Sequence, residues 1–113
     1  MPDNSAYQEI IRVLEQAVQA GVASISVEWK GRELMIFHQD GPVGIGAARI
    51  NEGMQQTVIE ELINRAGLSR KSKGKMHVTL LGREFEVVVE EYDSFGESAF
   101  NLAIREAKRK ASR

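Results

Sequence analysis

The sequence predicts an α+β domain, and three observations carry that expectation. Two segments place apolar residues at helical spacing, and each ends on a glycine. Two others alternate apolar with polar residues and fold back at a Gly-Arg pair. These elements recur in the same order in both halves of the chain. An αββ unit used twice is therefore expected, built from antiparallel hairpins with the helices on one sheet face.

The first helix is expected over about residues 6–20. Ser5 followed by Gln8 has the spacing of a capping box, and Tyr7, Ile10, Ile11, Leu14, Ala17 and Val18 form the stripe before Gly21. Ile25, Val27 and Trp29 then alternate with Ser26, Glu28 and Lys30. Gly31-Arg32 reads as a two-residue turn with glycine first, as a type II′ turn prefers, and Leu34, Ile36 and His38 return. That loop length sets Lys30 opposite Glu33, Trp29 opposite Leu34 and Val27 opposite Ile36, so apolar meets apolar and the charges are complementary. Met35 and Phe37 fall on the other face, either under a helix or as a contact surface.

Residues 39–53 read as a loop, because Gly41, Pro42, Gly44 and Gly46 interrupt any period. Asn51 is placed to cap a second helix, with the stripe Met54, Val58, Ile59, Leu62, Ile63 and Ala66 and a stop at Gly67. After a basic loop at 69–74, Met76, Val78 and Leu80 form a strand, Gly82-Arg83 a turn, and Phe85, Val87 and Val89 the return. The matching register puts Leu80 opposite Phe85, Val78 opposite Val87, Met76 opposite Val89 and Lys75 opposite Glu90. Near the end, Phe100, Leu102 and Ile104 alternate, whereas Phe100, Ala103, Ile104, Ala107 and Ala111 form a helical stripe. Helix-forming composition and the basic run Lys108 to Lys110 favour a C-terminal helix.

At 113 residues, 42% hydrophobic and 27% charged, the chain fits a single domain over 1–113, with a flexible N-terminus at 1–5 and a basic tail at 106–113. It has no cysteine, which excludes disulfides and thiolate metal sites. No leader-like apolar run opens the sequence and no stretch nears the roughly 20 apolar residues of a bilayer span, so a cytoplasmic protein without membrane insertion is expected. The net charge of −1 conceals blocks. Arg65, Arg70, Lys71, Lys73, Lys75 and Arg83 occupy 62–83 without an acid; Glu84, Glu86, Glu90, Glu91, Asp93 and Glu97 occupy 84–97 without a base. Such blocks either steer a partner or neutralise one another across neighbouring strands.

Motifs of chemistry are incomplete. Gly44-Ile45-Gly46 opens like a dinucleotide fingerprint but meets Arg49 where the third glycine belongs, and no helix follows directly. Gly74-Lys75 is followed by Met76, so no phosphate-binding P-loop exists. His38, His77 and Asp40 form no tight ligand cluster, and neither histidine has an oriented triad partner. Glu86 and Glu90 share a strand face without an aromatic cleft around them. No cofactor, metal or catalytic residue is assigned. The stretch from Arg70 to Lys75 suits phosphates, but no aromatic residues are interleaved to stack on bases.

One run, residues 14–28 (LEQAVQAGVASISVE), resembles the opening of the N-terminal, PAS-like domain of secretion and type IV pilus ATPases, which reads "A-x-x-x-G-A-S-D-I-H-I-E" before a hairpin ending in Asp-Gly. Asp40-Gly41 stands at the matching place, and Arg65-Ala66-Gly67-Leu68, Gly74-Lys75, Gly82-Arg83-Glu84 and Phe95-Gly96-Glu97 follow the family order over roughly residues 6–104. The departures are specific. The ATPase core is absent, Ile36, His38 and Val88 stand where the family places arginines that approach a neighbouring subunit's nucleotide, and Lys73 replaces the Asp of "D-G-R". The resemblance thus implies a scaffold without the arginine chemistry. It points to a non-catalytic protein-interaction or regulatory module, partnered by a secretion or pilus ATPase or by itself. The alternatives are a small nucleic-acid-binding protein using residues 70–75 and the basic C-terminus, with weak binding, and a small-molecule sensor. The candidate interaction surface comprises Met35, Phe37, Arg70, Lys71, Lys73 and Lys75.

Overall fold

A computed structural model describes residues 5–107. The order is α1 (Ser5–Gln19), β1 (Ser24–Lys30), β2 (Glu33–Asp40), β3 (Val43–Arg49), a 3₁₀ turn (Glu52–Met54), α2 (Gln55–Ala66), β4 (Lys73–Leu80), β5 (Arg83–Ser94) and β6 (Glu97–Glu106). The six strands form one sheet in the order β3-β2-β1-β6-β5-β4, antiparallel throughout. The protein is α+β, as the sequence predicts. Each half, however, is αβββ and not αββ.

Both helices end where glycine takes the left-handed conformation. At Gly21 (φ 74) and Gly67 (φ 69), the amides of Val22 and Leu68 bond the carbonyls of Ala17 and Ile63, the reach of a Schellman motif. The second helix starts differently from expectation. Asn51 makes no side-chain cap, and a 3₁₀ turn enters α2 instead. Ser5, assigned above to a flexible terminus, is already helical, while residues 1–4 and 108–113, with most of the basic tail, lie outside the described residues.

The first hairpin has the expected register, Lys30↔Glu33 to Val27↔Ile36, with Gly31 at φ 64. The second does not. Its turn is Leu81-Gly82, so Leu80 pairs with Arg83, Val78 with Phe85, Met76 with Val87 and Lys75 with Val88. Both turn residues have positive φ, 52 and 78, which is the type I′ geometry whose twist matches the strands. The expected register was displaced by two residues, which leaves every side chain on its predicted face.

The expected loop at 39–53 is mostly strand. β2 runs to Asp40, turns at Gly41-Pro42 and returns as β3, an edge strand with a bulge at Ala47 between the pairs Ile36↔Ala48 and Phe37↔Gly46. At Gly44 the Gln39 side chain lies close over the strand, so that a Cβ would stand 3.1 Å from it, whereas the Phe37 ring passes Gly46 at ordinary contact distance. The expected C-terminal helix is also replaced. Residues 97–106 form β6, central in the sheet, with Phe100, Leu102 and Ile104 buried.

One buried cluster joins Ile10, Val13, Leu14 and Ala17 of α1, Val58 and Leu62 of α2, and the alternating apolar residues of the strands. The strand order also rules out a rotated repeat. A rotation carrying β1–β3 onto β4–β6 would reverse strand direction and so exchange the sheet faces, yet α1 and α2 touch each other and both reach β4. The likeness of the two halves is hairpin and helix-stop chemistry.

Three contacts fix the helices. Glu9, 6% exposed, is held by Arg12 (Nη2–Oε2 2.6 Å) and accepts the Asn51 amide at 3.4 Å, while Arg12 reaches the Arg49 carbonyl. The Arg12 guanidinium keeps the Glu9 carboxyl below its usual range against the opposing effect of burial. At the other end of α1, Glu15 accepts the Leu81 amide at 2.9 Å. Against α2, β4 approaches so closely at Gly74 that a Cβ there would stand 1.9 Å from the Ala66 carbonyl oxygen.

Two outcomes are expected. Gly74→Ala forces backbone apart and should lower stability in urea by about 1–3 kcal/mol or more, whereas Gly53→Ala, with open space around it, should not. Glu9 has a lowered folded pKa, so its contribution is present above the unfolded carboxyl pKa of about 4.3 and is lost as pH falls through the folded value. Glu9→Gln should therefore destabilise by about 1–2 kcal/mol at neutral pH, and that difference should shrink in acid, as denaturation across pH 3 to 7 would read.

Candidate functional site

The side chains that alternate with the core residues make a second, largely polar sheet face. The register writes it out in rows. One row crosses all six strands: Gly46, Phe37, Ser26, Asn101, Glu90 and Lys73. Below it, Ala103, Val88 and Lys75 align, and Arg105, Glu86 and His77 form the next. Met35 sits opposite Glu28, and Tyr92 opposite Ala99.

The centre of this face is tied by hydrogen bonds. Ser26 is only 2% exposed although it belongs to the polar face. Gln39 Nε2 donates to its hydroxyl at 2.9 Å, and the Tyr92 hydroxyl lies in bonding reach of Ser26 while donating to Glu28 Oε2 at 2.8 Å. Partial burial, and then the Glu28 carboxylate, push the Tyr92 phenol up to about 12. Beside this network Met35 and Phe37 are half-buried, and Lys30 Nζ stands 5.5 Å from the Phe37 ring centre.

The charged flank is organised by Glu86. Its Oε1 takes Arg105 Nη2 at 2.6 Å and its Oε2 faces Lys75 Nζ at 3.5 Å, and the bond from Arg105, more than Lys75, holds the carboxyl below its usual range. Lys71, Lys73, Lys75 and Arg105 surround Val88 in a concavity of about 480 Å³. Arg70 and Lys71 line a neighbouring groove with Glu91, Tyr92 and Asp93.

The structure thus divides the predicted surface. Met35 and Phe37 are on β2, Lys73 and Lys75 on β4 at the far edge, and Arg70 and Lys71 in the turn before β4. Four strand spacings separate β2 from β4, about 19 Å. The expected pairing of Lys75 with Glu90 is corrected as well: Lys73 faces Glu90, and Lys75 reaches Glu86, because the hairpin turns at Leu81-Gly82. Sequence reasoning missed Glu28, Tyr92 and Arg105. Only the partnership of β1, β5 and β6 brings them into the face, and the helical reading of residues 97–106 hid it.

His38 lies on the core-side face opposite Ile25 and Ile45, and His77 on the polar face opposite Glu86, so the two do not converge. Among the described residues no group of three His, Asp or Glu is placed to hold a metal ion. No helix among them is long and apolar enough to cross a membrane. No family model matches the sequence, and no curated protein is similar enough to lend it a function. The reading therefore rests on this geometry. It generates one direct check. Glu28→Gln removes the carboxylate beside Tyr92, so the Tyr92 phenol, pushed up to about 12 by burial and by Glu28, should ionise at lower pH in that variant than in the parent chain, as an ultraviolet titration of both would read.

Proposed function

We propose that this chain is a non-catalytic protein-interaction module that presents the polar face of its sheet to a protein partner. The observation that carries the reading is the composition of that face. An ordered hydrogen-bonded centre, Gln39–Ser26–Tyr92–Glu28, adjoins the apolar side chains of Met35 and Phe37, with charged flanks around them. Apolar and aromatic groups inside a polar rim are the anatomy of protein contact surfaces. The helices share one buried cluster with the apolar strand residues, which supports the polar face as the broad surface offered to a partner. The resemblance to the N-terminal domain of secretion and type IV pilus ATPases supports the same reading and suggests a cytoplasmic ATPase of that kind as partner.

The concavity lined by Lys71, Lys73, Lys75 and Arg105 favours a second reading, nucleic-acid binding. Its cations are largely answered, Lys75 and Arg105 by Glu86 and Lys73 opposite Glu90, and in the neighbouring groove Arg70 lies beside Glu91 and Asp93. No aromatic side chain lines it for stacking. Weak, non-specific binding is the expectation, no tighter than about 10⁻⁴–10⁻⁶ M at physiological salt.

A pull-down from the native cell, with and without nuclease, separates the two. The proposal expects a protein partner that survives nuclease, is lost with Met35→Glu/Phe37→Ser, and is retained when Lys71, Lys73 and Lys75 become Ala. Partners lost on nuclease treatment, together with nanomolar oligonucleotide binding abolished by the lysine changes, would replace it with the second reading.

A further inference from the structure

The two edges of the sheet are not alike. β4 carries Lys73, Lys75 and His77 along its exposed side, and both helices pack against it. Lysines on an edge oppose pairing with a further strand. β3, Val-Gly-Ile-Gly-Ala-Ala-Arg, has no charge before Arg49, and its Val43 and Ile45 are 57% and 54% exposed. Among the described residues it has a strand partner on one side only.

The β2–β3 register says which of its backbone groups are open. In a two-residue hairpin the pair closing the turn, here Asp40 and Val43, exchanges hydrogen bonds, and the pairs then alternate. Val43 and Ile45 therefore direct their amides and carbonyls toward β2. Gly44 and Gly46 direct theirs away from it. The bulge follows at Ala47, so residues 43–46 are the regular part of the edge.

We infer that β3 is a self-association edge, and that two copies of this chain join there, antiparallel, about a two-fold axis at Ile45. That axis sets Gly44 of one copy opposite Gly46 of the other, twice, and each such pair exchanges two N–H···O bonds, about four in all. Between them Ile45 faces Ile45 of the second copy as a non-hydrogen-bonded pair, in which side chains come closest. Arg49 at the end of the strand is already paired with Glu33 at 2.6 Å, so the match lies in the uncharged stretch before it. A second copy is thus the occupant that matches this edge in backbone pattern and side-chain size. The contact is small beside a standard interface, so the dimer is weak and concentration-dependent. It uses an edge distinct from the polar face and does not depend on the identity of that face's partner.

Sedimentation velocity of the full chain, from low to high micromolar concentration, is the test. The expected result is a weight-average mass rising from one chain toward two. Ile45→Lys places a charge on the edge at an exposed side chain, and Gly46→Pro removes an outward amide at a position with ordinary room for a Cβ. Each should weaken the dimer by about tenfold or more, with an unchanged circular dichroism spectrum showing that the monomer is folded. Because the chain has no cysteine, Ile45→Cys supplies a single thiol. Under mild oxidation it should crosslink to a dimer much faster than Thr79→Cys on the β4 edge. A chain that stays monomeric at high micromolar concentration would overturn the inference. So would a dimer indifferent to both edge variants, or crosslinking equally fast at both edges.

Discussion

The pairing of β1 with β6 is the constraint on which the rest of the structure depends. It runs from Ser24↔Ala103 to Val27↔Phe100 and is extended by the bond from the Ile104 amide to the Ala23 carbonyl. Without it the chain would be two three-stranded sheets, each with two open edges. With it, Ile25, Val27, Phe100 and Leu102 are enclosed, at 0–2% exposed. The hairpins that flank this seam are local and cheap to close, whereas the seam joins segments from opposite ends of the chain. Its loop-closure cost is met only once the apolar face is buried as a whole.

The helices follow from the same seam. α1 lies between two tethers, the Glu9–Arg12 pair against Arg49 and Asn51 at one end and Glu15 against the β4–β5 turn at the other. These tethers belong to different halves of the sheet, so they are compatible only after β1 and β6 have joined. α2 is fixed by contact distance: the absence of a side chain at Gly74 lets β4 run under the Ala66 carbonyl. Shape at one glycine thus decides how near the second helix stands to the edge strand.

The β4–β5 hairpin explains the charge pattern. The basic block at 62–83 and the acidic block at 84–97 are adjacent in sequence and antiparallel in space, so Lys73 and Lys75 run beside Glu90 and Glu86. Arg105 joins them from β6. Exposed pairs of this sort contribute only about 0–1 kcal/mol each to stability. Their larger effect is on the long-range field, which they blunt.

Residue pattern alone determined the helix stops at Gly21 and Gly67, the first hairpin and the face on which every side chain of the second would lie, because each follows from local backbone preference or a period of two. It also placed Met35 and Phe37 on the face opposite Leu34 and Ile36, without deciding whether a helix covers them. Tertiary structure decided the rest. Residues 97–106 carry both a helical stripe and a strand alternation, and their Ala, Arg and Glu favour helix. Only the open positions between β1 and β5, where a strand satisfies ladders on both sides, select β6. β3 was hidden for a related reason: glycine reads as a breaker in isolation, yet Gly44 and Gly46 both sit in the ladder with β2, and Gly44 leaves room for Gln39 to lie across the strand. The polar-face network of Ser26, Glu28, Gln39 and Tyr92 was illegible because its members meet only across strands paired at long range. A neighbour separated by most of the chain leaves no periodic trace in the sequence around it.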